Sequence, residues 1–431
     1  MTILKDILAN EVFPALGCTE PIACAYAVAA AAEQLLPAPV EKIILAVDPG
    51  TYKNGAAVTV PHSNGAKGNL IAAAMGAYAA DASTKLEVLQ KVTPDILKNA
   101  EKLIESGNVE YRCSEDKREF YVEAHVESAD SRAHCILSGG HTNIISLKKD
   151  GRKIDTGESS GETGRQDYRS RLKEMSIKDL LTEVVQLDEE TRRYLQRGVE
   201  MNLAIAETGV KIMRTAYQLQ QMKASGLMAE DLFYNAKFKV AAAVDARMYG
   251  YPLPVMTSGG SGNQGAVGIL IPYIVGRHQG VALGRIQESI AVTHAINSYI
   301  KCFIGELSVI CGCSMAAGIA AAAAIVYQEC GIDMEKITFA MDNVVGDLSG
   351  LICDGAKPGC AMKTVTAVDT AMRSGFMAIA GYGLSDDEGI IGKTPEDSIK
   401  NLSRVTLEGM FKVDPTVIDI LQDKLASHGR A

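Results

Sequence analysis

Four cysteines fall in two short segments, VICGC at 309–313 and LICDGAKPGC at 351–360, each just ahead of a helix-forming run. Cys311, Cys313, Cys353 and Cys360 can therefore converge. A thiolate near a helix N-terminus is favoured by the exposed amides and the helix dipole, and soft thiolates gathered in a reducing compartment suit zinc or an iron–sulfur cluster. The spacing matches neither a paired CxxC zinc ribbon nor the tight ferredoxin run, so ordinary buried thiols stand as the competing reading.

Two further segments carry chemistry. In ALGCTEP at 15–21 a thiol sits beside an acid in a loop before a helix, so Cys18 is a candidate base or nucleophile. In TSGGSGNQG at 257–265 the glycines permit unusual backbone angles and free amides, and Ser258, Ser261 and Asn263 add polar groups. That composition suits a cradle for a carboxylate or phosphate, and equally a flexible turn. Its Ser-Gly-Asn portion also resembles the cofactor-contacting loop of pyridoxal-phosphate β-eliminases. Cys24, among alanines, reads as packing, and Cys113, Cys135, Cys302 and Cys330 lack partners at ligand spacing. His125 falls on the polar side of its strand; His141 reads equally as a structural histidine.

The elements that must position these groups follow from periodicity. Residues 1–36 read as helix, interrupted at Gly17, Cys18, Thr19, Glu20 and Pro21, where proline suits a first helical turn. Residues 42–47 and 56–60 read as β-branched strands, and Phe120, Val122, Ala124 and Val126 alternate strictly. A turn at 129–131 and segments 134–137 and 143–147 complete a small antiparallel sheet covered by helices near 69–106. The run KKDGRKIDTGESSGETGRQD at 148–167 is polar and glycine-rich and reads as a linker. Beyond it, Ser176 followed by Asp179 resembles a capping box, and helical spacing persists almost to the end. The expected fold is α+β: a smaller N-terminal sheet domain over 1–150 and a mostly α-helical catalytic domain over 168–431.

The chain of 431 residues is 47% hydrophobic, enough for two or three cored domains. Lys and Arg number 43 against 52 Asp and Glu, and no basic block offsets the net charge of −9, which argues against nucleic acid as a partner. The first residues, MTILKDILANEVF, lack a basic-then-apolar signal layout, and the apolar run at 315–327 is too short to span a bilayer. A cytoplasmic protein with ten mostly reduced cysteines is expected, with no membrane partner. The alanine-dominated 315–327 run reads as a tightly packed helix against the cysteine loop. A homodimer is the base-rate expectation.

Several words, taken in order, resemble the L-cysteine desulfidase and UPF0597 group, related to the α-chain of iron–sulfur L-serine dehydratases. They are ALGCTEP at 15–21, KNG at 53–55, VTVP at 58–61, GGHTNI at 139–144, DARM at 245–248, SGNQG at 261–265, and GDLSGLICDGA with CAMK at 346–363. The resemblance implies a [4Fe-4S] enzyme that removes sulfide from L-cysteine, giving pyruvate and ammonia, or that dehydrates L-serine by the same logic. It assigns the cluster to Cys311, Cys353 and Cys360, with Cys313 as the alternative to Cys311, and proton transfer to Cys18. Three protein thiolates leave one iron open, as a Lewis-acid centre requires. The substrate-binding roles of Ser258, Ser261 and Asn263 rest on chemistry alone. Two other readings compete: a pyridoxal-phosphate lyase around Ser261 and Asn263, and a non-catalytic helical binding protein.

Overall fold

Alternation of side chains across 120–126 makes a half-buried strand, and the same logic builds most of one sheet. The computed structural model describes residues 2–117, 119–155 and 161–427. Among these the strands are β1 (Pro14–Leu16), β2 (Lys42–Val47), β3 (Val109–Cys113), β4 (Tyr121–Glu127), β5 (Arg132–Ser138), β6 (Ile144–Lys149), β7 (Arg152–Lys153) and β8 (Pro254–Met256). Six of them form one sheet in the order β3-β2-β4-β5-β6-β7, and β1 pairs with β8 in a second. The rest of the chain is mainly helical, so the fold is α+β.

The large sheet is mixed, whereas the sequence predicts an antiparallel one. β3 lies parallel to β2 because the helices Pro49–Gly55, Asn69–Ala79 and Pro94–Glu105 intervene, the crossover that a parallel pair needs. Residues 56–60, expected to be a strand, make only the isolated bridge between Thr59 and Lys67. The expected 148–167 linker is partly regular structure. Asp150 (φ 47°) and Gly151 (φ 78°) turn β6 back into β7, and a helix runs over Gly161–Glu174. Residues 156–160 of that segment lie outside the described residues.

Two hydrophobic cores form. One gathers the inner sheet face, including Val122, Ala124, Val126 and Leu137, against the helices Thr19–Glu33 and Asn69–Ala79. The other is built by helices between Tyr168 and Leu402, around the alanine-rich Ala316–Cys330 helix, whose residues Ala320 to Ala324 are fully buried. Alanine lets neighbouring helices approach closely. The first helix, Ile3–Glu11, packs into this second core through Ile3, Ile7 and Leu8 and so lies away from the sheet that follows it in sequence. No helix among the described residues is long and apolar enough to cross a membrane.

Candidate active site

A single cavity between the two cores is lined by Cys18, Cys311, Cys313, Cys353 and Cys360 together. The chain delivers them from separate elements, and hydrogen bonds fix where they sit. Cys311 N–H donates to Leu351 O at 2.8 Å and Cys353 N–H donates to Val309 O at 2.7 Å, with Ile310 and Ile352 forming an antiparallel bridge between them. The two cysteine loops are thus laced backbone to backbone. Cys360 opens the helix Cys360–Ile379, and its amide is held by Lys357 O at 2.9 Å.

Three helices start at this cavity, at Cys18 for Thr19–Glu33, Ser261 for Gly262–His278 and Cys360 for Cys360–Ile379. Helix N-termini carry unpaired amides and a partial positive charge, so the arrangement favours anionic occupants such as thiolates and carboxylates.

The neighbouring Cys313 thiol and Ser314 Oγ, 3.6 Å away, lower the Cys311 pKa against the effect of burial and with help from Lys363. Burial raises Cys353, although Lys53 opposes the shift, and burial pushes Cys360 up to about 11. Cys311, Cys353 and Cys360 offer three soft sulfur donors in one cavity, a set that suits an iron–sulfur cluster.

Cys18 caps its helix as the sequence predicts, yet it is not poised as a free thiolate. Its Sγ donates to Glu20 Oε2 at 2.9 Å, and burial followed by the Glu20 charge raises its pKa well above the usual thiol value. Glu20 also accepts from Asn54 Nδ2 at 3.1 Å and Thr19 Oγ1 at 3.2 Å. Burial opposes the charge of Glu20, but His141, the Cys18 thiol and Arg247 outweigh it and its pKa is lowered. The pair is therefore a thiol hydrogen-bonded to a carboxylate, and both shifts keep the proton on sulfur.

The glycine loop divides its expected residues. Gly259 (φ 54°) and Gly260 (φ 72°) are left-handed and turn the chain into the helix at Gly262. Ser261 and Asn263 line the cavity. Ser258 does not belong to that lining: it is fully buried behind it, where its Oγ lies 2.9 Å from His294 Nδ1 and accepts from Asn297 Nδ2 at 3.0 Å.

Arg247 is the functional candidate that sequence reasoning missed. It is 2% exposed, lines the cavity, and donates through Nη1 to Asn263 Oδ1 at 2.8 Å. Its Nε and Nη2 are buried without a hydrogen-bond partner. A Cβ at position 262 would stand 2.3 Å from Nε, so Gly262 is what lets the guanidinium lie there. Unpaired buried donors of this kind are costly and await an acceptor. An arginine within the buried run AAAVDARM was the available signal. His141, Lys301, Glu306 and Lys363 also line the cavity; Lys301 pairs with Glu306 at 3.1 Å and Lys363 pairs with Asp354 at 2.5 Å.

Comparison with known proteins agrees with this assembly. Residues 83–419 match the family model described as serine dehydratase alpha chain. A UPF0597 protein of Geobacter sulfurreducens is 45% identical over 98% of this chain and 99% of its own length. A UPF0597 protein of Elusimicrobium minutum is 40% identical over 99% of this chain and 100% of its own, and one of Caldanaerobacter subterraneus is 37% identical over 98% and 99%. With the match spanning both cores and every cysteine of the cavity, the chain belongs to the UPF0597 family, related to the serine dehydratase alpha chain.

Proposed function

We propose that this protein is a [4Fe-4S]-dependent lyase that removes sulfide from L-cysteine by α,β-elimination, yielding pyruvate, ammonia and hydrogen sulfide. The observation that carries this reading is the meeting of Cys311, Cys353 and Cys360 with Cys18 and an unsatisfied arginine in one cavity. Cys311, Cys353 and Cys360 would hold the cluster. Cys311 is preferred to Cys313 because its own amide is laced to the Cys353 loop. When bound, the cluster supplies a Lewis-acidic iron with an open position for the departing sulfur.

The protein's own groups account for the remaining chemistry. Arg247 offers Nε and Nη2 to the substrate carboxylate, and Asn263 fixes the guanidinium plane. Ser261 and the first amides of the Gly262–His278 helix add donors at the same end. Cys18, oriented by its hydrogen bond to Glu20, takes the α-proton of the substrate as thiolate, its own proton having first passed to water. The Cα–H electron pair forms the double bond as the Cβ–S bond breaks, so there is no net redox change. The 2-aminoacrylate product hydrolyses to pyruvate and ammonia.

L-Serine is the second reading, favoured by the serine dehydratase alpha chain match, and differs only in the leaving atom. Pyridoxal phosphate fits the cavity less well, since both lysines that line it, Lys301 and Lys363, are ion-paired. Anaerobic purification with iron and acid-labile sulfide analysis, followed by kcat/KM for L-cysteine and L-serine, tests the proposal. About four irons per chain and sulfide release that tracks them support it; full activity in iron-free protein ends it.

A further inference from the structure

On the outer face of the large sheet, away from the cavity, two histidines and a glutamate converge. Alternation along β4 puts Tyr121, Glu123 and His125 on the side opposite the buried Val122, Ala124 and Val126. β5 runs antiparallel beside it and sets His134 directly across from His125. The two imidazoles stack with centroids 4.3 Å apart, and both turn Nε2 toward one carboxylate oxygen. Glu123 Oε1 is 3.2 Å from His125 Nε2 and 2.9 Å from His134 Nε2.

We propose that Glu123, His125 and His134 form a binding site for a borderline divalent transition metal, represented by Zn2+, with the remaining position left to water. The three ligand atoms lie within 4.8 Å of one another. Bonds of about 2.0–2.1 Å in a tetrahedral site separate neighbouring ligand atoms by roughly 3.3 Å, close to the spacing already present. Two imidazoles and one carboxylate suit zinc, nickel or copper and differ from the all-thiolate set of the cavity. The carboxylate is also held from behind, since Tyr121 OH donates to Glu123 Oε2 at 2.9 Å, leaving Oε1 for the metal.

Partial burial adds to the fit. The side chains of Glu123 and His134 are 26% and 17% exposed, and that of His125 is 46% exposed, so a cation reaches them from solvent without opening the core. Lys148 stands opposite His134 in β6, and its positive charge limits the affinity. A site of moderate strength follows at the sheet surface, without any share in the elimination.

The test uses anaerobically prepared, cluster-loaded protein titrated with Zn2+ against a metallochromic competitor. Comparison is with the double variant His125→Ala, His134→Ala and with Glu123→Gln. The expected result is one equivalent of Zn2+ lost, or bound at least tenfold more weakly, in both variants. Zinc X-ray absorption of the wild type should show only nitrogen and oxygen neighbours. Elimination activity and the Tm in EDTA should be unchanged. Equal zinc binding by wild type and variants, or sulfur in the zinc shell of that equivalent, overturns the proposal. Neither outcome touches the reading of the cavity, whose readouts are iron content and turnover.

Discussion

Cys18 Sγ and Glu20 Oε2 stand 2.9 Å apart at the mouth of a helix, with the thiol donating and the carboxylate receiving. If Cys18 exchanges the substrate α-proton and Glu20 orients its sulfur, each can be replaced without disturbing the residues that would hold a cluster. Cys18→Ser should therefore keep iron and acid-labile sulfide at wild-type levels while kcat falls by about three orders of magnitude or more. Glu20→Gln should lower kcat with less change in KM. Loss of iron in the Cys18 variant would make that residue a ligand and contradict the assignment.

Arg247 leaves two donors unpaired beside that couple. If they bind the carboxylate, Arg247→Lys should raise KM by about 10-fold to 100-fold, the range of one or two charge-assisted hydrogen bonds. The lysine keeps the charge but loses the fork. Steady-state kinetics with L-cysteine, alongside iron content as the control for folding, decides the matter. An unchanged KM would mean that the guanidinium only props Asn263.

How much of this was legible in the sequence varies with the physical signal. β4 and β5 announced themselves because one face is buried at every second residue. β3 did not: it is an edge strand whose residues are half-buried or exposed, with no alternation to read. The β6–β7 hairpin was hidden in a polar segment, although Asp150 and Gly151 are the residue types that a turn with two positive φ angles prefers. The cavity cysteines were visible because thiols ahead of helices are rare. Arg247 was obscured because its importance arises only when distant segments meet, and Ser258 was drawn to the site by a loop whose first serine turns inward.

The lacing of the cysteine loops makes Cys311 and Cys313 separable. Replacing Cys311, Cys353 or Cys360 by Ser should reduce iron well below four per chain, while Cys313→Ser should retain it. Iron and sulfide analysis of anaerobically reconstituted variants provides the comparison. In the wild type, air should bleach the visible absorption and abolish turnover together, since an open iron is exposed to oxidants. Iron retained in Cys311→Ser and lost in Cys313→Ser would exchange the two assignments.

Lys53 is 1% exposed, and its Nζ meets Asp414 Oδ1 at 2.5 Å, tying the Pro49–Gly55 helix beside the site to the C-terminal helix Val413–Ser427. Removing one partner leaves the other charge buried and uncompensated, whereas removing both does not. Asp414→Ala should cost about 3 kcal/mol or more. Lys53→Met with Asp414→Ala should be less destabilised than Asp414→Ala alone. Denaturant unfolding of the three proteins measures the difference, and an additive double variant would show that the pair does not interact.

Asp342 gives the stability a pH dependence that is independent of the site. Its side chain is nearly fully buried on the Met334–Leu348 helix, Oδ1 has no hydrogen-bond partner, and burial raises the pKa to about 7 despite a hydrogen bond with Ser398. Because the folded-state pKa lies above the ordinary aspartate value of 3.8, the native state holds a proton that the unfolded chain has released between those two values. This contribution therefore favours folding at low pH and is lost as pH rises toward about 7, above which it changes no further. Asp342→Asn, which keeps the shape without the charge, should raise Tm by several degrees at pH 8 and by little at pH 5. Thermal melts at both values provide the measurement, and a larger gain at pH 5 would reverse the sign and remove Asp342 as the cause.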